Sequence, residues 1–213
     1  MKSFVIFLSV FCLAGCLMST GVQGSGKATT EDRTVGAFSS ISVEGAASVD
    51  VEIGANTSVT ITTDDNLQPL ILTQVENTTL RIYSHETYNT SVGVNVKITT
   101  PTLDGVSVSG ACSVHAVGLD SKHFALSMSG AGSAKLMGQA DALAVNLSGA
   151  GSVEAGDLKA KDVQVEISGV GSAVVYASQS LSAAVSGAGS VRYKGNPAKV
   201  QKTVSGVGSI SSE

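Results

Sequence analysis

The sequence predicts an all-β protein, a parallel β-helix or solenoid wound in rungs of about 19 residues. Three observations carry that prediction. The pattern Ser-Gly-(Ala/Val)-(Gly/Cys)-Ser recurs from Ser109, Ser129, Ser148, Ser168, Ser186 and Ser205, in steps of 20, 19, 20, 18 and 19 residues. A fixed period of this size marks a repeat architecture. Ahead of the motif, apolar residues alternate with mostly polar ones, as in Val163, Val165 and Ile167 against Gln164 and Glu166, which is the period of a strand. Helical periodicity is absent after the first segment.

Residues 1–15 read as a secretory signal. Met1-Lys2-Ser3 is a short basic start, and Phe4 to Ala14 is apolar. That run is too short to span a bilayer, which takes about 20 residues. Leu13-Ala14-Gly15-Cys16 resembles the lipobox of bacterial lipoproteins. The resemblance implies that Cys16 is acylated, begins the mature chain and ties it to a membrane. Leu17 stands where an Asp would signal inner-membrane retention, so the expected site is the outer membrane of a bacterial envelope. Residues 16–33 are rich in Gly, Ser and Thr and are expected to form the anchor and a flexible tether.

Residues 34–213 are expected to form one β-solenoid domain. Within it, 34–103 is the irregular part, read as early rungs or a β cap, with a separate domain as the alternative. Val43 to Val49 looks like a degenerate copy of the repeat. Asp64-Asp65-Asn66 and Glu76-Asn77 are turn signals. Residues 104–213 carry the regular rungs. A rung of this length cannot bury its own apolar face, but stacking can. Rungs about 4.8 Å apart would place each residue over its counterpart. The motif glycines then read as a corner, and Ser113, Ser133 and their counterparts as corner hydrogen-bonders.

The order Val35-x-x-Phe38-x-x-Ile41-x-Val43-x-Gly45, followed by strands and the tandem motif, resembles the putative autotransporter adhesin, head GIN domain family, over roughly residues 34–210. The resemblance implies a β-helical envelope protein and supplies no catalytic residues.

Composition narrows the function. The net charge is −4, only 14% of residues are charged, and there is no Trp. Mild acidity without clustered Lys and Arg argues against a nucleic-acid partner. Without Cys12 and Cys16, only Cys112 remains, so no internal disulfide is expected. Cys112, His115 and His123 are metal-ligand types, but the column of His115 reads as a solvated face; no metal or cofactor is expected. Asp64-Asp65 reads as a turn rather than half a calcium site. Glu154, Glu166, Asp157, Asp162, Lys159 and Lys161 read as solvated charge, and no catalytic residue is assigned. Tyr176 and Tyr193, in adjacent rungs, form a contact patch or cover the C-terminal end.

The expected function is therefore that of a non-enzymatic envelope lipoprotein. It would present a solenoid surface for binding or adhesion to a glycan or protein ligand. A carbohydrate-active enzyme on a β-helix is one alternative. A self-assembling homo-oligomeric scaffold, joined through the apolar last rung (Val204, Val207, Ile210), is the other.

Overall fold

The structure is a computed structural model and describes residues 21–213. The signal segment and Cys16 lie outside the described residues. The strands run β1 (Val22–Gln23), β2 (Ala28–Asp32), β3 (Ser40–Ile53), β4 (Ser58–Asp64), β5 (Leu72–Glu76), β6 (Thr79–Tyr83), β7 (Tyr88–Asn89) and β8 (Asn95–Thr100). There follow β9 (Gly105–Met128), β10 (Ala131–Leu147), β11 (Ala150–Ile167), β12 (Val170–Val185), β13 (Ala188–Lys194), β14 (Lys199–Val204) and β15 (Ser209–Ser212). The chain is a β-solenoid of about five turns.

From β9 onward every pairing is parallel and one coil apart. Leu126 pairs with Val145, Val145 with Val165, and Val165 with Ala183. All four are buried. This is the column three places ahead of the motif, and it forms part of one core cluster running from Phe38 to Tyr193. At about 25 cal/mol per Å2 of apolar surface removed from water, such columns hold the coils together.

The motif makes the corner by close approach of backbones. A Cβ on Gly187 would overlap the carbonyl of Gly169 one coil below, and the other motif glycines repeat the relation. The corner hydroxyl is that of the first Ser. Ser129 donates to Val108 O at 3.4 Å and Ser148 to Met128 O at 3.4 Å. The second Ser column lies on the strand after the bend, where Ser133 and Ser113 meet at 3.4 Å. Of the two expected partners for this column, neighbours or backbone at the bend, that contact is with the neighbouring serine one coil away.

The first part of the chain winds out of spatial order. β3 pairs in register with β9, Gly45 with Gly110 and Ser48 with Ser113, so Val43–Val49 is a copy of the repeat in space. On its other side β3 pairs with β6 through Ser40–Val43 and with β8 through Ser48–Ile53. Residues 79–100 thus form the coil beneath β3, although they follow it in sequence. β4 and β2 then close that end by antiparallel pairing.

The tether expectation for 16–33 needs correction over its described part. Ala28 to Asp32 pair with Asp64 to Thr60. Buried Gln68 fixes the strand by donating to Thr29 O at 2.7 Å and Ile61 O at 3.0 Å. Gln23 to Lys27 are clasped by the 64–66 turn, which reads as loop in sequence but receives this segment, while Val22 and Gln23 pair with Tyr88 and Asn89. Asp64, fully buried, accepts from the Gly26 amide at 2.6 Å and from the Thr90 hydroxyl. Ser25 donates to Asp65 and its amide to Asn66, at 2.5 and 2.8 Å. A Gly/Ser/Thr-rich composition predicted freedom because the partners of these residues lie about 40 positions away.

Candidate functional site

The coil has a side where its regularity breaks. Register shifts fall between Leu136 and Gly138, Lys135 and Met137, Ala155 and Lys159, and Ala160 and Asp162. The differences in rung length are absorbed there, away from the motif corner. In repeat proteins such local insertions gather on one face, often the binding face, and bulges re-aim side chains.

A trough of about 680 Å3 opens on this side. Its floor is made of small residues on successive coils, Ser121, Ala140 and Ala160, all buried. One wall is the in-register column Asp120, Gln139, Lys159, Tyr176. The other wall carries Lys122, Asp141 and Lys161. Small floor residues are the cause of the concavity: long side chains flank a column of methyl groups.

The electrostatics of the walls are specific. Lys161 Nζ lies 2.6 Å from Asp141 Oδ1. That hydrogen bond, with the charge behind it, holds the Asp141 carboxyl below the usual carboxylate range and pushes Lys161 up. The charges of His123 and Lys122 act on Asp141 in the same sense. Lys159 Nζ sits 4.0 Å from the ring centroid of Tyr176, a cation–π contact that orients the ammonium. Three Lys against two Asp make the lining net positive on a chain whose net charge is −4.

Sequence reading had set Lys159 and Lys161 aside as solvated charge; the structure brings them together with Asp120, Lys122, Gln139, Asp141 and Tyr176. The signal was present in the alignment of the copies. Asp120, Gln139 and Lys159 each stand nine places before a motif, and Lys122, Asp141 and Lys161 seven places before it, with Ser121, Ala140 and Ala160 between. A polar–small–polar triplet at a fixed offset becomes two walls and a floor on stacking. Glu154, Glu166 and Asp157 do not line this trough, nor does Asp162, which accepts from Ser180 at 2.5 Å.

Tyr176 and Tyr193 point to opposite sides. Tyr176 reaches the trough, while Tyr193 is buried in the core column of Ala155 and Val175. Cys112, His115 and His123 are not a cluster. The Cys112 thiol is buried and donates to Gly45 O at 3.4 Å, whereas His115 is exposed beside Asp50 at 3.6 Å. Among the described residues no three His, Cys, Asp or Glu side chains are placed to hold a metal ion. Nor is any helix among them long and apolar enough to cross a membrane.

The fold recurs in solved structures. A "putative adhesin" from Bacteroides fragilis NCTC 9343 is 28% identical, with a TM-score of 0.75, over 91% of this chain and 100% of that one. A "putative adhesin" from Parabacteroides merdae ATCC 43184 is 22% identical, TM-score 0.57, over 90% and 98%. A "putative lipid binding protein" from Parabacteroides distasonis ATCC 8503 is 24% identical, TM-score 0.51, over 90% and 99%; these last two share the fold alone. No curated protein matches the chain. The family model described as "Putative auto-transporter adhesin, head GIN domain" matches residues 37–197, and with three quarters of its length inside that match the chain belongs to this family.

Proposed function

We propose that this protein is a non-enzymatic cell-envelope lipoprotein, held to the outer membrane by an acylated Cys16, whose solenoid flank binds a ligand in adhesion. The trough carries the proposal: a concave, polar-walled surface built by register across successive coils. Membership of an adhesin family supports it. A glycan hydrolase needs one carboxyl kept protonated as acid, and the Lys161 ammonium holds the Asp141 carboxyl below the usual carboxylate range, so Asp141 is poorly suited to that one role.

Two measurements test the proposal. Labelled palmitate should enter the wild-type chain and not the Cys16→Ser chain, which should leave the membrane fraction. A label that persists in Cys16→Ser removes the anchor from the proposal. The purified chain should also bind envelope or host-surface material saturably without turning it over. Product formation lost on Asp120→Asn or Asp141→Asn would replace the proposal with the enzyme.

A further inference from the structure

We infer that the trough between the Asp120–Tyr176 column and the Lys122–Lys161 wall is a subsite for an extended acidic glycan, a chain of pyranose rings bearing carboxylates. The inference rests on the binding role proposed above and names the ligand class of that same surface.

Shape is the first argument. The trough runs along the solenoid axis, crossing the coils of Asp120, Gln139, Lys159 and Tyr176. Its side chains therefore repeat every 4.7–4.9 Å or so. That spacing is close to the length of one sugar ring in a polysaccharide. A linear glycan laid in the trough would place about one ring over each coil. A folded protein surface would not fit a channel that is one side chain wide, with a floor of buried Ser121, Ala140 and Ala160.

Charge is the second. Asp141 is neutralised by Lys161. Lys122 and Lys159 make no ion pair among the described residues. They stand on opposite walls two coils apart, a separation of about 10 Å along the axis. Carboxylates on alternate rings of a uronate chain would meet both. Lys159 is not a wandering charge, because the Tyr176 ring beneath it limits where the ammonium can go. Holding the cation before the ligand arrives reduces the ordering that binding requires. Gln139 and Ser178, with both donors and acceptors, face the ring hydroxyls. Asp120 is the one wall carboxylate without a cation partner here, and it limits how many acidic groups the site accepts.

The test is titration calorimetry on the full chain with two probes that share a sugar backbone, one charged and one neutral at the carboxyl: a galacturonate oligomer and its methyl ester. The acid should bind, and the ester about tenfold or more weaker. Lys159→Ala and Tyr176→Ala should each weaken the acid about fivefold or more, with Tyr176→Phe close to wild type because the ring still holds Lys159. Raising the salt from about 50 to about 500 mM should weaken the acid and leave any ester binding unchanged. Lys159, Tyr176 and Lys122 lie on the surface, so the variants should keep the wild-type circular dichroism. Equal affinity for acid and ester overturns the inference, as does binding that survives Lys159→Ala with Lys122→Ala. A chain that ignores both probes yet still binds envelope material saturably loses this ligand and keeps the binding role. One that binds neither loses both.

Discussion

Lys202 stands over the ring of Tyr193, its ammonium 4.9 Å from the centroid, and donates to the carbonyl of Ile210 at 3.2 Å. The position matters because Lys202 occupies a core column. It pairs with Ala183, which pairs with Val165, so an apolar residue would continue the stack. Beside it, Tyr193 fills the core column of Val175 with a ring. A charge at an edge position that would otherwise bury an apolar side chain obstructs addition of another strand.

Lys202 should therefore oppose pairing of the last coil, with its exposed Val200, Val204 and Val207, with a second copy. Lys202→Val should convert a monomer into a concentration-dependent oligomer in sedimentation velocity. Lys202→Arg should stay monomeric. A monomeric Lys202→Val chain at high concentration would show that the end is protected by something else.

Replacing a corner glycine should be costly where the coil below lies against it. A Cβ on Gly149 would overlap the Gly130 carbonyl, so Gly149→Ala should lower stability by about 1–3 kcal/mol in urea unfolding. Nothing lies within 4 Å of a Cβ on Gly36, and Gly36→Ala should stay within about 0.5 kcal/mol of wild type. Equal effects at the two positions would refute the stacking explanation.

Acid should release the N-terminal segment first. The Thr90 hydroxyl, joined by the amides of Gly26 and Val92, holds the Asp64 carboxyl below its usual range against the opposing effect of burial. A folded-state pKa that is depressed gives stability that is complete above the unfolded value, about 3.9. It is lost as the pH falls through the folded value. Amide exchange at Gly21–Asp32 should therefore accelerate below about pH 4 while the coil of β10 and β11 stays protected. Asp64→Asn should show the faster exchange at neutral pH. Uniform protection across that range would contradict the clasp.

Cys112 should be inert in the folded chain. Its thiol is buried and hydrogen-bonded to Gly45 O, and desolvation pushes its pKa up, so little thiolate forms. In a Cys12→Ser, Cys16→Ser chain, a thiol reagent should label Cys112 only at denaturant concentrations that unfold the domain. Prompt labelling in buffer would contradict the buried placement.

The regular coils were readable because each contact there joins residues one repeat apart, so aligning six copies of one motif aligned the structure. Leu126, Val145, Val165 and Ala183 were a column on paper before they were one in space. The cap was harder because its partners are not periodic. Asp64 meets Gly26 and Thr90, and β6 tucks beneath β3 from 39 positions later, contacts that no local pattern encodes. The trough failed to emerge for a different reason. Its triplets were visible, but charge at a return loop reads as solvated until the bulges reveal which columns face each other.

The direction of the inter-coil hydrogen bonds sets how this molecule bears load. From β9 onward they run along the solenoid axis, so a pull along that axis breaks one coil's ladder at a time, whereas a pull across it strains a whole ladder at once. A force entering at Gly21 and leaving through the Lys159 trough passes through β2, β4, β8 and β3 and bypasses β13 to β15. The first bonds in that path are those of the two-residue β1–β7 pair, followed by the Asp64 clasp and the short β2–β4 pair. On the anchored, ligand-binding role proposed above, these short contacts would yield first under tension, and the coils of β9 to β12 would keep their shape.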